Sequence, residues 1–117
     1  MTTPLYQLKA EFFKTLGHPA RIRILELLAQ RPYSVGELQG EIGLESSHTS
    51  QQLAVLRRAG VVVAHKQGTS VTYSLASQDM AELLGVARRV LAELLNDQVT
   101  MLKDLKASTR AARRSAS

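Results

Sequence analysis

Two helix-start signals stand only twelve residues apart, and that spacing constrains the chain more than anything else in it. Ser34-Val-Gly-Glu37 has the form of a capping box, in which hydroxyl and carboxylate each satisfy a backbone N–H at a helix start. The short helix it opens places Val35, Leu38 and Ile42 inward and closes at Gly43. After Gly43-Leu44-Glu45, Ser46 caps a new helix that runs to Ala59, with Gly60 as a left-handed stop.

The flanking sequence supplies the rest of the architecture. Leu5, Leu8, Phe12 and Leu16 repeat at steps of three and four, which predicts a first helix over 5–16. Gly17 and Pro19 stop it, and Pro19 suits the first turn of a second helix bearing Ile22, Leu25 and Leu28, which Arg31-Pro32 ends. Beyond Gly60 the period changes to two. Val61–Lys66 and Val71–Leu75 read as strands of a hairpin whose tip is Gln67-Gly-Thr-Ser70. A last helix is expected from Asp79 to about Lys106. Met80, Leu84, Ala87, Leu91, Leu94, Gln98, Met101 and Leu105 form a heptad seam along it, more than a domain this small needs for its own core.

Composition narrows the function. The 117 residues suit one domain, and 44% hydrophobic with 21% charged residues is the balance of a folded chain. With no cysteine, disulfides, thiolate metal sites, cysteine nucleophiles and thiol sensing are excluded. The longest uninterrupted apolar run is Val61–Ala64, and the N-terminus lacks the apolar centre of a signal peptide, so no membrane span and a cytoplasmic location are expected. No phosphate loop, His-Glu metal helix or Ser/His/acid set occurs at useful spacing, which argues against an enzyme. The net charge of +5 is compatible with nucleic acid, and three of its positive charges, Arg110, Arg113 and Arg114, lie in a Ser/Ala-rich tail. The expected division is a winged-helix DNA-binding and dimerisation domain over 1–106 and a basic, disordered tail over 107–117.

Short helix, three-residue turn, capped helix and hairpin, in that order, describe a mainly α chain with a small β-hairpin: a winged helix-turn-helix dimerised through its first and last helices. The second helix of such a pair enters the major groove by its N-terminal end. At 100° per residue Thr49, Leu53, Leu56 and Gly60 form the buried side, while Ser47, His48, Gln51, Val55 and Arg58 face outward. Short hydroxyl and amide side chains carry both donors and acceptors for base edges. The residues expected to meet DNA are Ser47, His48, Thr49, Ser50, Gln51 and Gln52 on the helix, Arg57 and Arg58 at its end, and Lys66, Gln67 and Thr69 on the wing. Arg21 or Arg23 is a further phosphate anchor. Leu5, Leu8, Phe12, Leu84, Leu91, Leu94 and Met101 are the dimerisation candidates.

The stretch from Phe12 to Leu28, FFKTLGHPARIRILELL, resembles the opening of ArsR/SmtB regulators, and Ser50–Val62, SQQLAVLRRAGVV, resembles their recognition helix and its exit. The likeness covers roughly residues 5–105. It implies a homodimeric winged-helix repressor that occupies a palindromic operator on double-stranded DNA and leaves it when an effector binds. The departures are specific. Where thiol-type members carry cysteines beside the third helix, this chain has Ser34 and Gly36. Where zinc, cobalt or nickel sensors carry Asp-x-His and His-x-x-Glu, it keeps Asp79 but has Ala81, Ala92 and Leu95. Gln52 stands in place of a frequent histidine. No cofactor is therefore expected. The alternatives are a nickel or zinc site built from His and carboxylates across a dimer, a regulator gated by a protein co-regulator, or a helical dimer that acts by protein–protein contact.

Overall fold

The structure is a computed structural model that describes residues 2–43 and 46–116; the side chains of 46, 47 and 114–116 lie outside that description. Two units compose it, Met1–Glu82 and Leu83–Ser117. The first holds helices α1 (Leu5–Leu16), α2 (Pro19–Leu28), α3 (Val35–Ile42) and α4 (Ser46–Arg58), with strands β1 (Tyr33–Ser34), β2 (Val62–Gln67) and β3 (Ser70–Leu75). A final helix, α5 (Gln78–Ala116), begins in the first unit and supplies the second.

Local chemistry sets each boundary. His18 caps α2 by accepting the Ala20 N–H at Nδ1, and Pro19 follows at the first helical position, where no N–H is needed. The Ser34/Glu37 capping box is formed in both directions, at 3.2 and 3.0 Å. The Ser34 N–H, and after it the Arg31 guanidinium 3.1 Å away, hold the Glu37 carboxyl below the usual carboxylate range. Gly43 ends α3 at φ 77°, a left-handed conformation that suits glycine.

The core of the first unit gathers where α2, α3 and α4 meet the sheet. Ile24, Leu25, Leu27 and Leu28 from α2, Leu38 from α3, Leu53 and Leu56 from α4, and Val62 from β2 are buried. Each such side chain contributes roughly 1.5–3 kcal/mol relative to exposure.

The sheet has three strands, not the two of the expected hairpin. Its order is β1-β3-β2, all antiparallel, with Tyr33 opposite Tyr73 and Ala64 on the other side of Tyr73. Tyr33 is buried, with the Arg31 guanidinium over its ring at 3.7 Å; that stacking and the adjacent capping box hold the two-residue strand in place. A second correction concerns the tail. Residues 107–116 continue α5 instead of forming a disordered extension. Ala107, Ala111 and Ala112 with Arg110 and Arg113 are strong helix formers, and Thr109 returns its hydroxyl to the Leu105 carbonyl at 3.0 Å.

In the second unit the apolar seam of α5 is open: Leu91, Leu94, Leu95, Met101, Leu102 and Leu105 are all at least half exposed. Leu84 is half-buried and Met80, in the first unit, is buried. On α1, Leu5, Leu8 and Phe13 are exposed, Leu16 is buried, and Phe12 is half-buried with its ring edge-on to Phe13. None of the described helices is long and apolar enough to cross a membrane.

Candidate nucleic-acid interface

Helix α4 is anchored by one face and offered by the other. Thr49, Leu53 and Leu56 fall at steps of four and three, and their relative exposures are 0, 1 and 0%. His48, Ser50, Gln51, Ala54, Arg57 and Arg58 are exposed, while Gln52 and Val55 are half-buried. The periodicity assigns Thr49, Leu53 and Leu56 correctly, whereas Gly60, expected on the same side, is exposed because the helix ends at Arg58 and Gly60 lies in the closure beyond it; and Thr49 cannot serve as a groove contact. It lies one turn before Leu53 in the buried row, so its hydroxyl is turned away from solvent. Ser47 is on the helix, but its side chain falls outside the described residues.

The end of α4 aims the wing. Gly60 adopts φ 80°; its N–H donates to the Arg57 carbonyl and the Val61 N–H to the Leu56 carbonyl. These two bonds, with buried Val61 and Leu56, form a Schellman closure that turns the chain straight into β2. The hairpin register pairs Gln67 with Ser70 across Gly68-Thr69, and Gly68 at φ 60° supplies the left-handed first turn position. His65, Lys66, Gln67 and Thr69 are exposed on this wing.

Between α4 and the sheet lies an open cleft of about 460 Å³ lined by Ser50, Leu53, Ala54, Arg57, Arg58 and Tyr73. Tyr73 is the residue that sequence reasoning missed. The strand read over Val71–Leu75 contains it, but nothing local indicated that a phenol would line the same cleft as two arginines. Two guanidinium groups beside hydroxyls in an open cleft can hold an oxyanion through charge-assisted hydrogen bonds.

Arg21 and Arg23 occupy different settings. Arg21 donates from Nε to Gln52 Oε1 at 2.7 Å and from Nη1 to the Thr15 carbonyl at 2.9 Å. It therefore ties the end of α1 to α4, so that of the two alternatives, Arg21 or Arg23, the second is the less engaged. Arg23 is exposed and sits 4.0 Å from Glu26 one turn along α2, a loose pair that leaves it available. Among the described residues no three His, Asp or Glu side chains converge as a metal site would require.

Comparison with known proteins agrees with this arrangement. The model of the family described as bacterial regulatory protein, arsR family, matches residues 18–63, which run from the α2 cap into β2. The chain is 66% identical over 105 residues to the HTH-type transcriptional regulator Rv0081 of Mycobacterium tuberculosis, covering 89% of this chain and 92% of that protein. The crystal structure of M. tuberculosis Rv0081 matches with a TM-score of 0.78 over 84% of this chain and 99% of that one. The biofilm growth-associated repressor of Agrobacterium fabrum is 41% identical over 75 residues, 64% of each chain. The solution structure of the homodimeric winged helix-turn-helix DNA-binding domain of Mb0332 from Mycobacterium bovis has a TM-score of 0.73 at 31% identity, over 80% of this chain and 86% of that one. The chain thus belongs to the arsR family of bacterial regulatory proteins, and it is a winged helix-turn-helix, DNA-binding transcriptional regulator.

Proposed function

We propose that this regulator is a homodimeric repressor that reads a palindromic operator with α4 and is held there by its wing. The observation that carries this reading is the division of α4 into a fully buried row and a polar outer face whose first turns bear His48, Ser50 and Gln51. Those side chains can pair with base edges, Gln51 bidentately with adenine. Arg57, Arg58, Ser50 and Tyr73 would take one backbone phosphate in their cleft, and Lys66 with Gln67 and Thr69 would hold the flanking backbone. In a dimer the two α4 helices would enter successive major grooves about 34 Å apart.

Two exposed apolar surfaces support the dimer: Leu5 and Leu8 on α1, and Leu91, Leu94 and Met101 on α5. The M. bovis domain is homodimeric in solution and the A. fabrum relative is named a repressor, and both descriptions suit this chain. Its place of action is the cytoplasm, with the chromosome. Release from the operator involves no thiol chemistry, because the chain has no cysteine. Ala81, Ala92 and Leu95 offer no metal-binding atoms, and this reading assigns the repressor no cofactor.

Fluorescence anisotropy on duplexes from promoter regions tests this directly. Binding that falls steeply with salt, one dimer per inverted repeat, and no change on adding nickel or zinc are the expected results. No binding to any duplex at low salt would overturn the assignment. Metal-dependent release would replace the cofactor-free form with a site of His and carboxylates shared between protomers.

A further inference from the structure

Gln52 has a fixed amide orientation, and this bears on which bases α4 accepts. A guanidinium has donors and no acceptor, so the atom of Gln52 that lies 2.7 Å from Arg21 Nε must be the carbonyl oxygen. Arg21 is itself held from a second side by the Thr15 carbonyl at 2.9 Å. Flipping the amide would bring its NH2 group against an N–H donor and leave both without an acceptor. The amide therefore keeps its oxygen toward α2. Its NH2 group takes no part in that bond and remains to donate to whatever approaches α4. Gln52 is half-buried beside fully exposed Gln51 and one turn beyond exposed His48, at the edge of the outer face.

We infer that Arg21 turns Gln52 into a donor-only reader, selective for keto bases at one position of each operator half-site. This rests on the operator-reading function proposed above. An unconstrained glutamine uses oxygen and nitrogen together to grip adenine N6 and N7. Gln52 is not oriented for that grip: its oxygen is turned to Arg21 on α2, so the NH2 group is the part it can offer to a base. Its two N–H groups match the acceptors O6 and N7 of guanine or O4 of thymine, and they meet a donor, the N4 amino group, on cytosine. Two neighbouring glutamines on one helix thus have different capacities: Gln51 can grip adenine through N6 and N7 together, whereas Gln52 can donate only to adenine N7 and finds a keto oxygen only on guanine or thymine. Arg21 is the positioning residue behind that difference, and it touches no base.

The test is selection from a randomised duplex pool by the full-length protein, comparing wild type with Gln52→Ala, Gln52→Glu and Arg21→Ala. Wild type should enrich guanine or thymine at one position per half-site, and Gln52→Ala should lose that preference, by about fivefold for one hydrogen bond. Gln52→Glu retains an acceptor for Arg21 but presents a second oxygen to the groove, so the preference should invert to cytosine or adenine. Arg21→Ala frees the amide, and adenine should become acceptable at the same position. The Glu variant, with its ion pair to Arg21, keeps the test decisive if Arg21→Ala folds poorly. Identical base profiles for wild type and Gln52→Glu, or enrichment of adenine by wild type at the Gln52-dependent position, would overturn the inference. Enrichment of no sequence at all by wild type would overturn the operator-reading function itself, and the inference with it.

Discussion

Helices α4 and α5 both leave a long face uncovered, but the uncovered faces have opposite chemistry. On α4 the apolar positions Leu53 and Leu56 are buried and the open face is hydroxyl, amide and guanidinium. On α5 beyond Leu83 the apolar seam itself is open, with Leu91 56% and Leu94 53% exposed. An exposed polar face costs little in water and can wait for a ligand that brings its own hydrogen-bonding groups. An exposed row of leucines is an unsatisfied hydrophobic surface whose natural partner is another of its kind. The first helix is complete as a fold and incomplete as a reader; the second is incomplete as a fold.

That contrast can be broken from either side. Leu56→Ala removes a fully buried side chain and should cost about 2–5 kcal/mol in chemical denaturation. Leu94→Glu, on the open seam, should instead weaken association by roughly 2–4 kcal/mol. Sedimentation should then report monomers with helix content retained, and a surviving dimer would remove α5 from the interface. Gln51→Ala should leave stability and dimerisation alone and relax base preference by roughly 1–3 kcal/mol, read by competition between duplexes. Lys66→Ala should weaken all sequences alike and lower the salt slope of binding by about one. The smallest effect concerns the α3 cap. Because the folded Glu37 carboxyl titrates below its ordinary range, its contribution is complete above that range and is lost as pH falls through the lowered value. Glu37→Gln should flatten the acid side of a pH–stability profile.

Helix ends were legible in the sequence wherever the signal is local, a proline at the first turn (Pro19), a side chain bonding within three residues (Ser34/Glu37) or a glycine free to turn left-handed (Gly43 and Gly60). Contacts between distant segments were not. Tyr33–Tyr73 pairing joins residues forty apart through a strand too short to show a period. The Arg21–Gln52 bond spans 31 positions, and no local pattern marks it. Thr49 shows a different failure: periodicity put it on the buried side, yet the run of hydroxyl residues around it counted it among the readers. The tail was misjudged because Ser, Ala and Arg resemble low-complexity sequence in composition while favouring helix in backbone preference.

Ser34 belongs at once to β1 and to the start of α3, since it pairs with Thr72 in the sheet and caps the helix that follows. The hairpin and the helix-turn-helix are therefore bolted together through a shared residue, and their relative angle is settled before any duplex arrives. A target whose curvature does not match that angle must itself bend. Stiffness of the operator's uncontacted steps then becomes something such a protein senses without touching it.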